Sequence, residues 1–285
     1  GSWDDVFRSK DFKIYHNPEN IALPDSEQPA YEAADVGDLD YAGGPVMQKT
    51  IEDLRRAKKT GTPFFIAAGF TKPHLPFNAP KKYWDLYDRE ALELADNPLP
   101  PKGAPKEAIH QWGELRNMYG GVPEQGAVSD DYARTLIHGY YACVSYTDAM
   151  VGELLDELDR LGMRENTIVM LWGDHGWQLG EHSLWCKHAL FKTSLNAPLI
   201  ISAPGYKAGQ RSTSLVEFVD IYLTLCELAG VELPAHLQGK SLVPILEDTS
   251  TSIKDAVFSR YHSGDAVKME GYHYAEWGNG AQMLY

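Results

Sequence analysis

The sequence has few cysteines, no long apolar run and no excess of basic residues. Its three cysteines, Cys143, Cys186 and Cys226, have no CxxC spacing and cannot all pair, so neither a disulfide framework nor a structural zinc site is expected. No apolar run approaches the roughly 18 residues that span a bilayer, so no membrane span is expected. The net charge of −14 argues against a nucleic-acid or anionic-membrane partner, since polyanion binding needs clustered Lys and Arg.

The amino terminus also lacks an apolar targeting segment. Residues 1–12 (GSWDDVFRSKDF) contain no secretory signal, and the opening Gly1-Ser2 has the form of an expression scar. We therefore expect the natural amino terminus to lie elsewhere. The 285 residues, of which 44% are hydrophobic and 23% charged, have the composition of a globular protein with one large core, or a core and a small lobe.

The stretch at residues 166–199 carries the strongest chemical signal. Residues 167–172 (TIVMLW) form a continuous apolar run of strand length, which predicts a buried parallel strand. Gly173 and Gly176 flank Asp174-His175, which directly follow this strand. Open α/β sheets bind their ligands at the carboxyl ends of strands. This position favours metal ligands over a satisfied core pair for Asp174 and His175.

Helix and strand patterns alternate along the chain, which predicts an α/β fold with a mostly parallel sheet flanked by helices. After residue 256, short aromatic-rich runs predict a small antiparallel sheet. Residues 1–45 are interpreted as loop. Helices are expected at 46–60, 81–87, 129–161, 217–229 and 239–246, and strands at 63–70, 167–172 and 198–203. These patterns predict two domains, at residues 1–250 and 251–285.

Further polar groups stand near the strand ends. Lys72 and His74 lie in a proline-stiffened loop after the strand at 63–70, although that segment alone is more typical of a surface loop. Lys187 lies in the polar stretch after Asp174. Two parallel strands would bring His74 and Asp174 to one sheet edge. Capping and packing roles are favoured for Glu181, His182 and His188, and a solvated face for the acidic residues Glu153, Asp156, Glu157 and Asp159.

The runs GFTKPHLPF and GDHGWQLGEHSLWCKHALFK resemble the sulfatases of the alkaline-phosphatase-like superfamily. Within them they are most similar to the iduronate-2-sulfatase group, and looser similarity extends from residue 46 to the end. The resemblance implies hydrolysis of sulfuric esters on a sulfated sugar. It also implies a divalent metal, expected to be calcium, and a formylglycine nucleophile made from the cysteine of a CxPSR motif. A periplasmic, secreted or lysosomal location is implied as well.

The resemblance also assigns roles to residues of this chain. Asp174 and His175 become metal ligands, and Lys187 contacts the sulfate and the oxygen of the nucleophile. His74 contacts the sulfate or protonates the leaving oxygen, with Lys72 as a neighbouring substrate contact. Because imidazole suits transition metals better than calcium, His175 leaves the identity of the metal open.

The sequence departs from the family at the nucleophile. Its cysteines stand in CVSY, CKHA and CELA, so none belongs to a CxPSR motif, and the adjacent aspartates of the family's first strand are absent. The chain is therefore expected to be the carboxyl-terminal part of a sulfatase, inactive without an amino-terminal segment. Two alternatives stay open: a phosphodiesterase or phosphonate monoester hydrolase of the same superfamily, and a noncatalytic sugar-binding or interaction module. Loops such as residues 91–126 would decide the substrate.

Overall fold

The computed structural model describes residues 3–9, 12–109, 113–124, 126–185 and 187–285. These residues form two compact units. The first unit takes its residues from 1–98, 112–164 and 179–183, and the second from 99–111, 165–178 and 184–285. Cys186, one of the three cysteines, lies outside the described residues. The predicted boundary between residues 250 and 251 stays a prediction.

The first unit contains a parallel strand pair and a long helix. Strand β1 pairs in parallel with β2, with Tyr31 opposite Phe77. Both strands lie in segments that the sequence pattern left as loop, because each has only four residues and no alternation of apolar and polar side chains. The elements are α1 (Pro18–Ile21), β1 (Tyr31–Ala34), α2 (Gly43–Thr60), β2 (Phe77–Pro80), α3 (Lys81–Trp84), α4 (Glu114–Met118) and α5 (Asp130–Arg160).

Helix α5 confirms the prediction for residues 129–161. The hydroxyl of Ser129 accepts a hydrogen bond from the backbone N–H of Tyr132 at 3.2 Å, which caps the helix. Gly139 lets α5 approach β2 closely, because a Cβ atom there would lie 2.8 Å from the Cβ of Phe77. The buried face of α5 thereby covers β2 and supplies much of the core of the first unit.

The prediction of a solvated acidic face on α5 is wrong at Glu157. Glu157 is only 2% exposed, and its carboxylate accepts hydrogen bonds from Arg55 on α2 at 2.7 Å and from Arg160 at 2.8 Å. These two guanidinium groups hold the pKa of Glu157 below its usual value. The residue therefore joins α2 to α5, a role that helical periodicity does not distinguish from solvation.

The strand predicted at residues 63–70 is also wrong. The segment has no assigned strand pairing, and Phe65 is 68% exposed. An apolar run becomes a strand only where a neighbouring backbone completes its hydrogen-bond ladder, and no such neighbour is found within the part of the chain that is described. Phe65 instead stacks on Trp3, with ring centroids 5.5 Å apart.

The second unit contains two antiparallel sheets. β3 pairs with β4 in antiparallel register, with Trp172 opposite Leu199, whereas a buried parallel strand was predicted at residues 167–172. β3 is also only partly buried. The other sheet has the order β5-β6-β7-β8 and confirms the small antiparallel sheet expected after residue 256. The elements are β3 (Val169–Trp172), α6 (Lys192–Leu195), β4 (Leu199–Ser202), α7 (Val219–Leu228), α8 (Val243–Glu247), β5 (Ala256–Tyr261), β6 (Gly264–Met269), β7 (Tyr272–Trp277) and β8 (Gln282–Leu284).

A buried carboxylate organises the helical part of the second unit. Asp220, fully buried on α7, accepts hydrogen bonds from the backbone N–H of Lys240 and Glu217, each at 2.8 Å, and from Nζ of Lys254 at 2.7 Å. Lys254 also donates to Glu217. This network joins α7 to the segments before α8 and β5. A separate apolar cluster that includes Leu190 and Trp277 forms against the four-stranded sheet.

The other predicted helices are confirmed with shifted ends. Residues 46–60, 81–87, 217–229 and 239–246 correspond to α2, α3, α7 and α8. Together with the parallel β1–β2 pair, they confirm the α/β class. Over the described residues, no helix is both long enough and apolar enough to cross a membrane.

Candidate functional site

The loop before β2 holds two of the predicted site residues. Nζ of Lys72 donates hydrogen bonds to the backbone carbonyl of His74 at 3.3 Å and to that of Pro76. The hydroxyl of Thr147 on α5 donates to the carbonyl of Lys72 at 3.2 Å. Lys72 therefore fixes the conformation of its own loop, and a hydrogen bond from Thr147 anchors the loop to α5.

Burial changes the chemistry of Lys72. Removal from water lowers the pKa of its ammonium group. The nearby Cys143 is completely buried on α5, and burial raises the pKa of its thiol to about 12. Cys143 is thus a neutral thiol inside the core, which argues against a nucleophilic role.

His74 has oxygen atoms at both ring nitrogens. Nδ1 lies 2.8 Å from the backbone carbonyl of Leu75, and Nε2 lies 2.9 Å from Oε1 of Glu114 on α4. A carbonyl and a carboxylate both accept hydrogen bonds, so a proton on either ring nitrogen has an acceptor. The Glu114 side chain is 11% exposed and that of His74 39% exposed, so the ring reaches solvent while its partner is largely shielded.

Asp174 and His175 follow the end of β3 as predicted. Nε2 of His175 lies 3.6 Å from Oδ2 of Asp174, and Nδ1 of His175 lies 2.7 Å from the carbonyl of Gly176. A Cβ atom at Gly176 would lie 2.0 Å from the backbone oxygen of Thr193, so only glycine allows this approach. The carboxylate is 87% exposed and the imidazole 33% exposed. The two side chains thus meet at an accessible position.

This geometry fits two ligands of one divalent cation. The carbonyl of Gly176 accepts the proton of Nδ1, which leaves the lone pair on Nε2 directed toward the side of Asp174. Asp174 offers the oxygen ligand that a hard cation prefers. Within the described ranges no cluster of three or more His, Cys, Asp or Glu side chains could hold a metal ion. The role of these two residues as metal ligands stays a prediction.

Lys187 contacts an aromatic ring in the same unit. Its Nζ lies 5.0 Å from the ring centroid of Trp177, and that ring lies 6.3 Å from the imidazole of His175. The face of an indole ring attracts a cation, so Trp177 helps to hold the Lys187 ammonium group in place. Trp177 itself is buried.

Three neighbouring polar residues have structural contacts, as the sequence favoured. Glu181 accepts a hydrogen bond from the backbone N–H of Leu179 at 2.6 Å. The backbone N–H of His182 donates to the carbonyl of Asn97 at 2.8 Å, and His182 has a φ of 55°, which is uncommon for a residue other than glycine. The His188 ring packs on Tyr261 at a centroid distance of 5.2 Å.

The predicted residues fall in two groups. Lys72 and His74 belong to the first unit, while Asp174, His175 and Lys187 belong to the second. The meeting of His74 with Asp174 at one sheet edge, and the assigned roles of all five residues, stay predictions. Sequence reasoning missed Glu114, because it lies 40 positions from His74 in a segment without clear periodicity.

Comparisons with known proteins show the family and the fold of the chain. The family described as "Sulfatase" matches residues 5–231. Human iduronate 2-sulfatase is 34% identical over 256 residues, which cover 77% of this chain and 46% of that protein. A solved structure of a protein with its substrate D-glucosamine-2-N,6-O-disulfate has a TM-score of 0.74 and 21% identity, and covers 86% of this chain and 63% of that one.

A second kind of structural relative is a phosphonate monoester hydrolase. The enzyme from Silicibacter pomeroyi has a TM-score of 0.75 and 22% identity, and covers 88% of this chain and 54% of that one. These likenesses confirm the alkaline-phosphatase-like fold. The chain spans less than half the length of human iduronate 2-sulfatase. Because the family match covers most of its residues, the chain belongs to the sulfatase family.

Proposed function

We propose that this chain is part of a formylglycine-dependent sulfuric ester hydrolase that acts on a sulfated sugar. The observation that carries the proposal is the accessible meeting of Asp174 and His175 after β3, with Lys187 in the same unit. Family membership supports the reaction class, and the human relative's name, iduronate 2-sulfatase, supports an iduronate-2-sulfatase-like activity. The disulfated glucosamine bound by a structural relative supports a sulfated sugar as substrate.

The metal site would be completed by ligands from outside this chain. Asp174 and His175 would hold a divalent cation, for which calcium is the first candidate because family resemblance implies it. When bound, the cation would polarise the sulfate and offset its negative charge. A hydrogen bond from Nδ1 of His175 to the Gly176 carbonyl would hold the ring in the orientation that a metal ligand needs.

The cationic side chains would act on the sulfate group itself. Lys187, whose Nζ lies 5.0 Å from the ring centroid of Trp177, would donate hydrogen bonds to sulfate oxygens and to the oxygen of the nucleophile. His74 would contact the sulfate or deliver a proton to the leaving oxygen as the ester bond breaks. Lys72 would act mainly by holding the loop that carries His74, because its Nζ already donates to two carbonyls of that loop.

The nucleophile would come from an amino-terminal segment of the same protein. Neither Cys143 nor Cys226 belongs to a CxPSR motif, and both are buried free thiols. A cysteine of that motif, converted to formylglycine, is the nucleophile that the family resemblance implies. We therefore expect the 285-residue chain to hydrolyse no sulfate ester by itself. A periplasmic, secreted or lysosomal location is part of the same proposal.

The test compares the isolated chain with the complete protein encoded by its gene. The complete protein should hydrolyse 4-nitrophenyl sulfate and release sulfate from a sulfated disaccharide, whereas the isolated chain should not. Asp174→Asn and Lys187→Met should each reduce kcat/KM by at least about a hundredfold in the complete protein. Lys207→Met, an exposed change in the same unit, is the control. Sulfatase activity of the isolated chain, or full activity of Asp174→Asn, would refute the proposal.

The structural relative from Silicibacter supports a second candidate, a phosphonate monoester hydrolase. The two activities differ in the substrate that turns over fastest, so the complete protein should be assayed with a phenyl phosphonate monoester beside the aryl sulfate. A higher kcat/KM for the phosphonate would favour the second candidate. If neither ester is cleaved and a sulfated sugar still binds, the chain belongs to a noncatalytic sugar-binding module.

A further inference from the structure

A carboxylate that the sequence did not single out makes the closest described side-chain contact to His74. Oε1 of Glu114 lies 2.9 Å from Nε2 of His74, and the Glu114 side chain is 11% exposed. A shielded carboxylate is costly without a partner, and the His74 ring supplies one. In return the carboxylate fixes the plane of the ring.

The element that carries Glu114 is itself held in the first unit. Leu115, the next residue of α4, is 2% exposed. After the helix, the N–H of Gly120 donates to the carbonyl of Gln28 at 2.8 Å. Arg116 donates to the carbonyls of Pro123 and Gly126, which closes the following loop over the helix. Glu114 therefore lies on a segment that is held in place. A side chain can orient another one only when its own backbone is fixed in this way.

We propose that Glu114 is the positioning residue of His74. This inference rests on the proposed function, in which His74 acts on the sulfate ester. With Nε2 held by Glu114, the ring nitrogen left to meet a ligand is Nδ1, whose partner is the carbonyl of the adjacent Leu75. The leaving oxygen of the substrate would replace that carbonyl and receive the Nδ1 proton, as the oxygen of the nucleophile bonds to sulfur and the bond between sulfur and the leaving oxygen breaks. Charged groups reach His74 from its own loop, through Lys72, and from α4, through Glu114.

The kinetic test uses the complete protein and two substrates that differ in their leaving groups. A sugar sulfate has a poor leaving group that needs a proton, whereas the 4-nitrophenolate of 4-nitrophenyl sulfate leaves without one. Glu114→Gln should lower kcat about tenfold to hundredfold for the sugar sulfate and about threefold or less for the aryl sulfate. Glu114→Asp should recover most of the loss. Glu124→Gln, an exposed change in the same segment, should leave both rates unchanged. Equal losses on both substrates, or none, would overturn the proposal.

A second measurement examines the contact without requiring activity. In the isolated chain, long-range ¹H–¹⁵N spectra should show both ring nitrogens of His74 in altered environments when Glu114 becomes Gln, with little change in Glu124→Gln. Unchanged His74 signals in Glu114→Gln would overturn the proposal. If the His74 signals change but the complete protein cleaves no sulfate ester, the contact between Glu114 and His74 exists and the proposed function is refuted. The catalytic role of the contact would then be refuted as well.

Discussion

Lys72 donates a hydrogen bond to the carbonyl of Pro76, and this contact joins the two ends of the short loop that carries His74. The ammonium group is buried, which lowers its pKa. The sequence placed Lys72 beside His74 as a second substrate contact. Its contacts within the loop instead favour a supporting role, in which the lysine sets the conformation that His74 needs.

The stability of the protein should depend on the charge of Lys72. Because its pKa is lowered in the folded state, the unfolded chain binds this proton more readily, so stability should rise as the pH increases toward 10.5, the ordinary value for lysine. Urea denaturation between about pH 7 and pH 9.5 measures this slope. Lys72→Met should reduce the slope, and the exposed Lys58→Met should not. Equal slopes in both variants would contradict the prediction.

The contact between Arg55 and Glu157 should stabilise the packing of α2 on α5. Glu157→Gln should lower the free energy of unfolding by about 1 to 3 kcal/mol, since hydrogen bonds to charged groups contribute in this range. The lowered pKa of Glu157 means that its contribution is present above about 4.5, its ordinary pKa, and is lost as the pH falls below it. The difference in free energy of unfolding between the unchanged chain and Glu157→Gln should therefore become smaller at acid pH.

Chemical denaturation at several pH values provides the measurement for Glu157. Asp159→Asn removes an exposed carboxylate from the same helix and is the matched control. A difference that stays constant down to about pH 3 would show that the loss comes from packing and not from the charge.

The buried carboxylate of Asp220 should be essential for the second unit. Asp220→Asn leaves Lys254 with a weakened partner and replaces one of the two oxygens that accept from the backbone N–H groups of Glu217 and Lys240 with a donor. Breaking a buried ion pair by changing one partner typically costs about 3 to 5 kcal/mol. Thermal unfolding should show the loss, with the exposed Asp255→Asn as control. A melting temperature equal to that of the unchanged chain would count against the network.

Cys143 should be unreactive in the folded protein. Burial raises the pKa of its thiol to about 12, so the thiolate is scarce near neutral pH. In a chain with Cys186→Ser and Cys226→Ser, a thiol reagent such as DTNB should label Cys143 only after denaturation. Complete labelling of the native protein within minutes would be the contrary result.

The sequence predicted the elements that depend on local signals. Ser129, the acidic first turn and the apolar stripe specify α5 without reference to the remainder of the chain, and the structure agrees. The short aromatic-rich runs after residue 256 likewise predicted the antiparallel sheet. The position of Asp174 and His175 after an apolar run was enough to predict that they would follow a strand.

Strand pairing could not be predicted in the same way. Residues 63–70 have the composition of a buried strand but are exposed, while β1 and β2, which lack that composition, pair in parallel. A strand exists only through the hydrogen bonds of its neighbour, and a single segment carries little information about which neighbour it will have. The same limit explains why β3 pairs in antiparallel register with β4.

The sequence alone determined the family, the α/β class and the candidate groups Lys72, His74, Asp174, His175 and Lys187, because motifs and helical periodicity are local properties of the chain. The tertiary structure decided the partners of these groups. Glu114 reaches His74 and Glu157 reaches Arg55 across long separations in sequence, and packing buries the ammonium group of Lys72. Contacts of this kind depend on packing between distant segments, which no local pattern encodes.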